Sequence, residues 1–170
     1  MGRKMKNIIF VHGLESSSKG FKALYLKKII PEMLTPDFEK FDHQITLEEL
    51  FNIRMILLNR ILKERKKWVI IGSSFGGLMA TLFTLQNPKN VKRLILLAPL
   101  LATNLIEWDI YSPIDIPVII YHGRKDVVAK FKPSKEQAYK LFTNLEFNAT
   151  EDDHNLNQTV EKLNWIGLTS

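Results

Sequence analysis

The sequence contains no cysteine, which excludes disulfides, thiolate zinc sites and a cysteine nucleophile. Glycine and proline are sparse, at 8 and 7 of 170 residues, so collagen-like and low-complexity architectures are excluded as well. No apolar run is long enough to cross a bilayer: residues 94–102 are interrupted by Pro99 and fall well short of the ~20 residues a spanning helix needs. The basic start is followed by apolar Ile8–Val11, which stops at His12 and Gly13, whereas a secretory signal needs about 7–15 apolar residues there. Lys6 stands where a myristoylation motif beginning at Gly2 requires Ser or Thr. These absences lead us to expect a cytoplasmic protein without membrane insertion.

What is present fits one globular domain spanning residues 1–170. Hydrophobic residues make up 45% and charged residues 25%, which is enough apolar content to exclude disorder. The net charge of +6 is polarised along the chain. Seven basic residues fall in positions 1–31 (Arg3, Lys4, Lys6, Lys19, Lys22, Lys27, Lys28) beside one acid, Glu15. Positions 146–170 hold five acids and only Lys162. The basic run at 63–67 sits where a helix should end, a place that favours cations, so no nucleic-acid partner is expected.

Two patterns alternate along the chain. Short β-branched apolar runs at 7–12, 33–35, 68–71, 93–98, 118–121 and 145–149 predict strands, mostly without polar alternation, as strands covered on both faces require. Between them lie helical stretches. Thr46 and Glu49 form a capping-box pattern ahead of the stripe Leu47, Leu50, Ile53, Leu57 and Ile61. Ser134 and Gln137 are expected to open another helix, Phe75–Gln86 should be a third, and 19–30 and 159–166 complete the set. Strand–helix alternation predicts an α/β fold with a mainly parallel sheet. Residues 99–117 hold three prolines and read as an irregular excursion.

The chemical signal is Gly72-Ser-Ser74-Phe-Gly76, placed directly between a predicted strand and a predicted helix. That is the context of a nucleophile elbow, in which the serine projects from a sharp turn and flanking glycines let strand and helix pass closely. A dinucleotide fingerprint is excluded by Ser74, and a phosphate-binding P-loop by Leu78 where Lys is needed. A nucleophilic serine needs a base and a group to orient it. The order Ser, acid, His selects His154, in a polar loop after the last strand, over His122, which precedes Asp126. Asp126 follows a strand's C-terminal end, where the sites of open α/β sheets gather, and is preferred to Asp109 and Asp115. His12 is read as a loop brace and His43 as exposed. Oxyanion donors are expected from the N–H of Phe75 and, because Gly13 lets the first loop approach, from that of Leu14.

The His12-Gly-Leu-Glu-Ser-Ser loop and the Gly72-Ser-Ser-Phe-Gly-Gly-Leu elbow resemble the α/β-hydrolases, and with the small size they resemble the YqiA-like esterases in particular. That resemblance implies a serine hydrolase of acyl esters without metal or cofactor. Its triad would be Ser74, Asp126 and His154, its oxyanion hole Leu14 and Phe75, and its structural glycines Gly13, Gly72 and Gly76. One departure is Glu151-Asp-Asp-His154, where many such relatives have glycine near the histidine. About six strands in order 2-1-3-4-5-6 are expected, with helices on both faces and residues 99–117 as a minimal cap. The expected partner is a small acyl ester or thioester. An acyl-CoA thioesterase using the basic N-terminal region and a catalytically idle binding protein are the alternatives.

Overall fold

The computed structural model describes residues 7–170. Gly2, Arg3, Lys4 and Lys6, on which the myristoylation and N-terminal phosphate-binding readings turn, lie outside the described residues. Five strands form one parallel sheet in the order β1-β2-β3-β4-β5. They are β1 (Ile8–Val11), β2 (Trp68–Ser73), β3 (Val91–Leu97), β4 (Val118–Gly123) and β5 (Leu145–Thr150). The helices are α1 (Phe21–Ile29), α2 (Leu47–Lys63), α3 (Phe75–Gln86), α4 (Phe131–Leu141), α5 (Asn157–Lys162) and α6 (Trp165–Leu168).

Side-chain alternation divides the core between the two faces of the sheet. Ile9, Ile70, Leu96 and Ile120 pack with Leu58 of α2, Leu78 of α3 and Leu141 of α4. Phe10, Ile71, Ile95 and Leu97 pack with Leu26 of α1, Val160 of α5 and Trp165 of α6. β1 and β2 are buried at every position, the price of helices on both faces being a strand with no polar side.

The sheet holds one strand fewer than the six expected. Residues 33–35 contribute a single bridge, Leu34 to Ile9, with the Phe10 and Leu34 N–H groups each donating across it at 2.9 Å. Pro31 and Pro36 bracket the segment and cannot donate to an extended ladder. Its place outside β1 keeps the expected order.

The Thr46–Glu49 capping box forms at the start of α2. The buried side of α2, however, is Leu50, Phe51, Arg54, Met55, Leu58 and Leu62, and Leu47 and Ile53 are exposed. The helix is rotated so that Phe51 meets the Phe75 ring edge-on at 5.8 Å, where the bulk of an aromatic is better buried than Ile53. Helix α4 starts at Phe131, ahead of Ser134, because Pro133 in a first turn loses no hydrogen bond. The helix expected over 159–166 is two, α5 and α6, with the Asn164 side chain capping the second by accepting from Gly167 N–H at 3.1 Å.

Between β3 and β4 only a 3-10 turn at Trp108–Ile110 forms. Leu101, Ile106 and Trp108 of this excursion are buried against the α2–α3–α4 face, and the Trp108 indole donates to the Leu101 carbonyl at 2.9 Å. The excursion thus fills the place of a crossover helix. Among the described residues no helix is long and apolar enough to cross a membrane.

Candidate active site

β2 ends at Ser73, and Ser74 then turns the chain into α3 with φ 53° and ψ −115°. Positive φ costs a non-glycine residue roughly 1–3 kcal/mol and persists only where surroundings enforce it. The enforcing bonds are the Ser74 N–H to the Leu97 carbonyl at 2.9 Å, and the Ser74 carbonyl accepting from Leu78 at 3.1 Å and Leu100 at 3.2 Å. A Cβ on Gly72 would lie 2.8 Å from the Gly77 Cα and 2.9 Å from the Gly76 carbonyl, so this glycine serves the strand–helix approach as expected. Gly76 answers to a different neighbour: a Cβ there would run into the carbonyls of Val11 and His12, at the end of β1.

His154 bridges the other two predicted residues. Its Nε2 lies 2.8 Å from Ser74 Oγ and its Nδ1 lies 2.7 Å from Asp126 Oδ2. The Asp126 carboxylate is fully buried, and its Oδ1 accepts from the N–H groups of Val128 and Ala129, both at 2.8 Å. A carboxylate held this way accepts the Nδ1 proton, which leaves the Nε2 lone pair facing the serine hydroxyl. The acids beside His154 anchor its loop. Asp152 accepts from the Thr159 N–H and hydroxyl at 3.0 Å each, and Glu151 pairs with Arg124 at 3.1 Å.

The remaining histidines stand apart from the serine. His12 is a loop brace: its Nδ1 donates to the Gly13 carbonyl at 2.8 Å, and its Nε2 accepts from Phe38 N–H at 3.1 Å. Burial lowers its pKa and favours the neutral ring. His122 is fully buried, with Nε2 2.7 Å from the Ala129 carbonyl and 3.2 Å from Asp126 Oδ2. Burial lowers its pKa as well, so a neutral Nε2–H is shared between those two acceptors. Asp126 Oδ2 therefore faces two imidazoles. His43, Asp109 and Asp115 are exposed.

The loop after β1 lies beside the serine, since a Cβ on Gly13 would be 3.6 Å from Ser74 Cβ. The N–H groups of Leu14 and Phe75 donate to no protein acceptor among the described residues. The Gly13 carbonyl accepts from His12, from Ser16 N–H at 3.4 Å and from Arg54 at 3.2 Å. In a trans peptide the N–H points opposite its carbonyl, so these donors turn the Leu14 N–H away from the loop interior.

Arg54 is the residue that sequence reasoning missed. It is 1% exposed and donates to the carbonyls of Glu39 at 2.8 Å, Gly13 at 3.2 Å and Leu14 at 2.8 Å. Its guanidinium lies 5.4 Å from the Phe75 ring centre, so one side chain touches both residues that carry the free N–H groups. Its i, i+4 spacing from Leu50 and to Leu58 was the available signal.

Ser74 and His154 open onto a cavity of about 600 Å³ with Leu14, Phe75, Phe21 and Val128 among its walls. Of residues 99–117 only Leu100 reaches it, so the excursion flanks the site and does not roof it. Among the described residues no three His, Asp or Glu side chains gather as metal ligands would.

Residues 43–113 match the family model described as alpha/beta hydrolase fold. The whole chain is similar to alpha/beta hydrolase domain-containing protein 10 from mouse, with a TM-score of 0.74 and 17% identity over 95% of this chain and 87% of that one. The chain has the α/β-hydrolase fold. Two further structures share this hydrolase fold. Est1E from Butyrivibrio proteoclasticus, solved with ferulic acid bound, has a TM-score of 0.75 and 15% identity over 93% of this chain and 84% of that one. The Bacillus cereus carboxylesterase has a TM-score of 0.69 and 20% identity over 92% and 84%. No curated protein sequence matches. In hydrolase-fold terms, Ser74, Asp126 and His154 stand beyond the C-terminal ends of β2, β4 and β5, the edge at which open α/β sheets build their sites.

Proposed function

We propose that this hydrolase-fold protein is a serine carboxylesterase of the YqiA-like kind, acting on short or exposed acyl esters. The observation that carries the reading is the unbroken hydrogen-bonded series Asp126–His154–Ser74 at the wall of an open cavity. Ser74 Oγ attacks the ester carbonyl carbon while His154 Nε2 takes its proton. The negative charge that develops on the carbonyl oxygen is met by the Leu14 and Phe75 N–H groups. The C–O bond then breaks, His154 returns the proton to the departing alkoxide, and the acyl group stays on Ser74. Water replaces the alcohol, His154 deprotonates it, and its attack releases the carboxylic acid and restores the serine. Asp126 keeps the imidazole in the required tautomer and stabilises the imidazolium formed in both halves.

A cavity left unroofed by residues 99–117 favours small or exposed acyl groups. The printed descriptions of two fold neighbours, a carboxylesterase and a protein solved with ferulic acid, are in keeping with ester chemistry. The test is labelling by a fluorophosphonate together with turnover of para-nitrophenyl butyrate. Wild type and Ser73→Ala should be labelled and active, and Ser74→Ala should be neither. Equal labelling of Ser74→Ala would falsify the assignment.

A further inference from the structure

One basic side chain of the cavity is not used by the proposed chemistry. Lys22, in the first turn of α1, lines the same cavity as Ser74 and His154. Among the described residues no carboxylate lies within ion-pair distance of it, and no hydrogen bond engages its ammonium. The acids whose charge it feels are Asp153 and Asp152, and both are committed to their own loop. Asp152 accepts from Thr159 and from Asp153 N–H, and Asp153 accepts from Asn155 N–H at 2.9 Å. Glu15 also lines the cavity but is exposed at its rim.

A structural role for Lys22 finds no support in its surroundings. A cation in the first turn of a helix opposes the helix dipole, and α1 has no acid there to offset it. Burial acts against the charged form and lowers the pKa of the ammonium, and the charges of Asp153 and Asp152 offset that only in part. The protein thus bears a desolvation cost that no direct internal ion pair recovers. The side chains of Asn155 and Asn157, which make no hydrogen bond among the described residues, line the same cavity and add polar lining to it. Phe75, Leu100 and Val128 give the cavity apolar lining as well.

We propose that Lys22 makes this site selective for esters bearing an anionic group, a carboxylate or a phosphate, which pairs with the ammonium while the ester carbonyl lies at Ser74. This rests on the esterase reading above and adds to it a substrate charge. The group can sit on the acyl or the alcohol side, so two substrate pairs separate them. Para-nitrophenyl hexanoate is compared with the mono-para-nitrophenyl ester of adipic acid, and phenyl butyrate with meta-carboxyphenyl butyrate.

For wild type the anionic member of at least one pair should show a kcat/KM higher by about tenfold, the scale of one charge-assisted hydrogen bond. Lys22→Met should abolish that preference while changing the neutral ester by less than about twofold. Lys22→Glu should reverse it. A binding measurement independent of turnover keeps the two readings apart. In Ser74→Ala protein, calorimetry should show monomethyl adipate bound more tightly than dimethyl adipate, with the difference gone in the Ser74→Ala, Lys22→Met double variant. Equal handling of neutral and anionic esters by wild type, or an equal loss for both in Lys22→Met, overturns the proposal and leaves the esterase reading standing. Loss of all turnover with the calorimetric difference intact overturns the esterase reading alone.

Discussion

Asp126 carries two separable tasks, holding its own loop through Oδ1 and orienting His154 through Oδ2. Asn at this position preserves the first and spoils the second by donating to the ring. In the serine-protease triad such a change lowers kcat by roughly 10⁴. Asp126→Asn is therefore expected to cost at least about 10²-fold in kcat with KM near wild type, read by steady-state kinetics. Asp109→Asn and Asp115→Asn should stay within about fivefold, as exposed changes seldom do more. Arg54 gives a sharper contrast. Lysine keeps the charge but not the fork that reaches three carbonyls, so Arg54→Lys should lower kcat about tenfold, with little change in KM and a melting temperature close to wild type. A fall in KM or a collapse of the melt would count against a role at the oxyanion donors. The side chains that meet at the serine were legible because elbow, chain order and strand ends are local patterns. Arg54 was not, because a charged residue inside an apolar stripe reads from sequence as solvent-facing. Only the irregular segment around Glu39, whose carbonyl it bonds, shows what covers it.

The elbow couples two strands through one glycine. Because a Cβ on Gly76 meets the Val11 and His12 carbonyls, Gly76→Ala should push α3 off the end of β1 and separate Ser74 from the Gly13 loop. The expected loss is at least about 2 kcal/mol of stability by urea denaturation, with kcat falling further than KM changes. Gly13→Ala, whose Cβ has ordinary 3.6 Å contacts, should be far milder. Alternation of apolar runs and helical stretches foretold β1 to β5 and α3 with little error, and in β1 and β2 continuous burial leaves little choice of residue. Elements decided by a neighbour were misread. The stripe on α2 turned toward Phe75, and the strand at 33–35 shrank to one bridge between prolines. The helix at the C-terminal end broke at Leu163 and Asn164, where a side-chain cap competes with the backbone ladder.

Taken whole, the molecule buries two histidines, His12 and His122, whose folded pKa values lie below the unfolded value of 6.5. Below that value the unfolded chain binds more protons than the native one, so falling pH favours unfolding, and the contribution is lost progressively from about pH 6.5 downward. The melting temperature should drop between about pH 7 and pH 5, and the slope should flatten in a His12→Gln, His122→Gln double variant. A slope unchanged by that pair would place the acid sensitivity elsewhere. The sheet also distributes the proposed machinery unevenly. Ser74 follows β2, which is buried throughout, while His154 hangs beyond β5, an edge strand with no fully buried residue. Outer strands open at lower free energy than central ones. Under rising urea, esterase activity should fail at a lower concentration than the fluorescence of Trp68 reports for the sheet centre, and coincident midpoints would show that edge and core melt as one. On the proposed function, this arrangement makes activity shorter-lived than the fold: turnover would be lost while most of the core is still intact, and would return on dilution without refolding from the beginning.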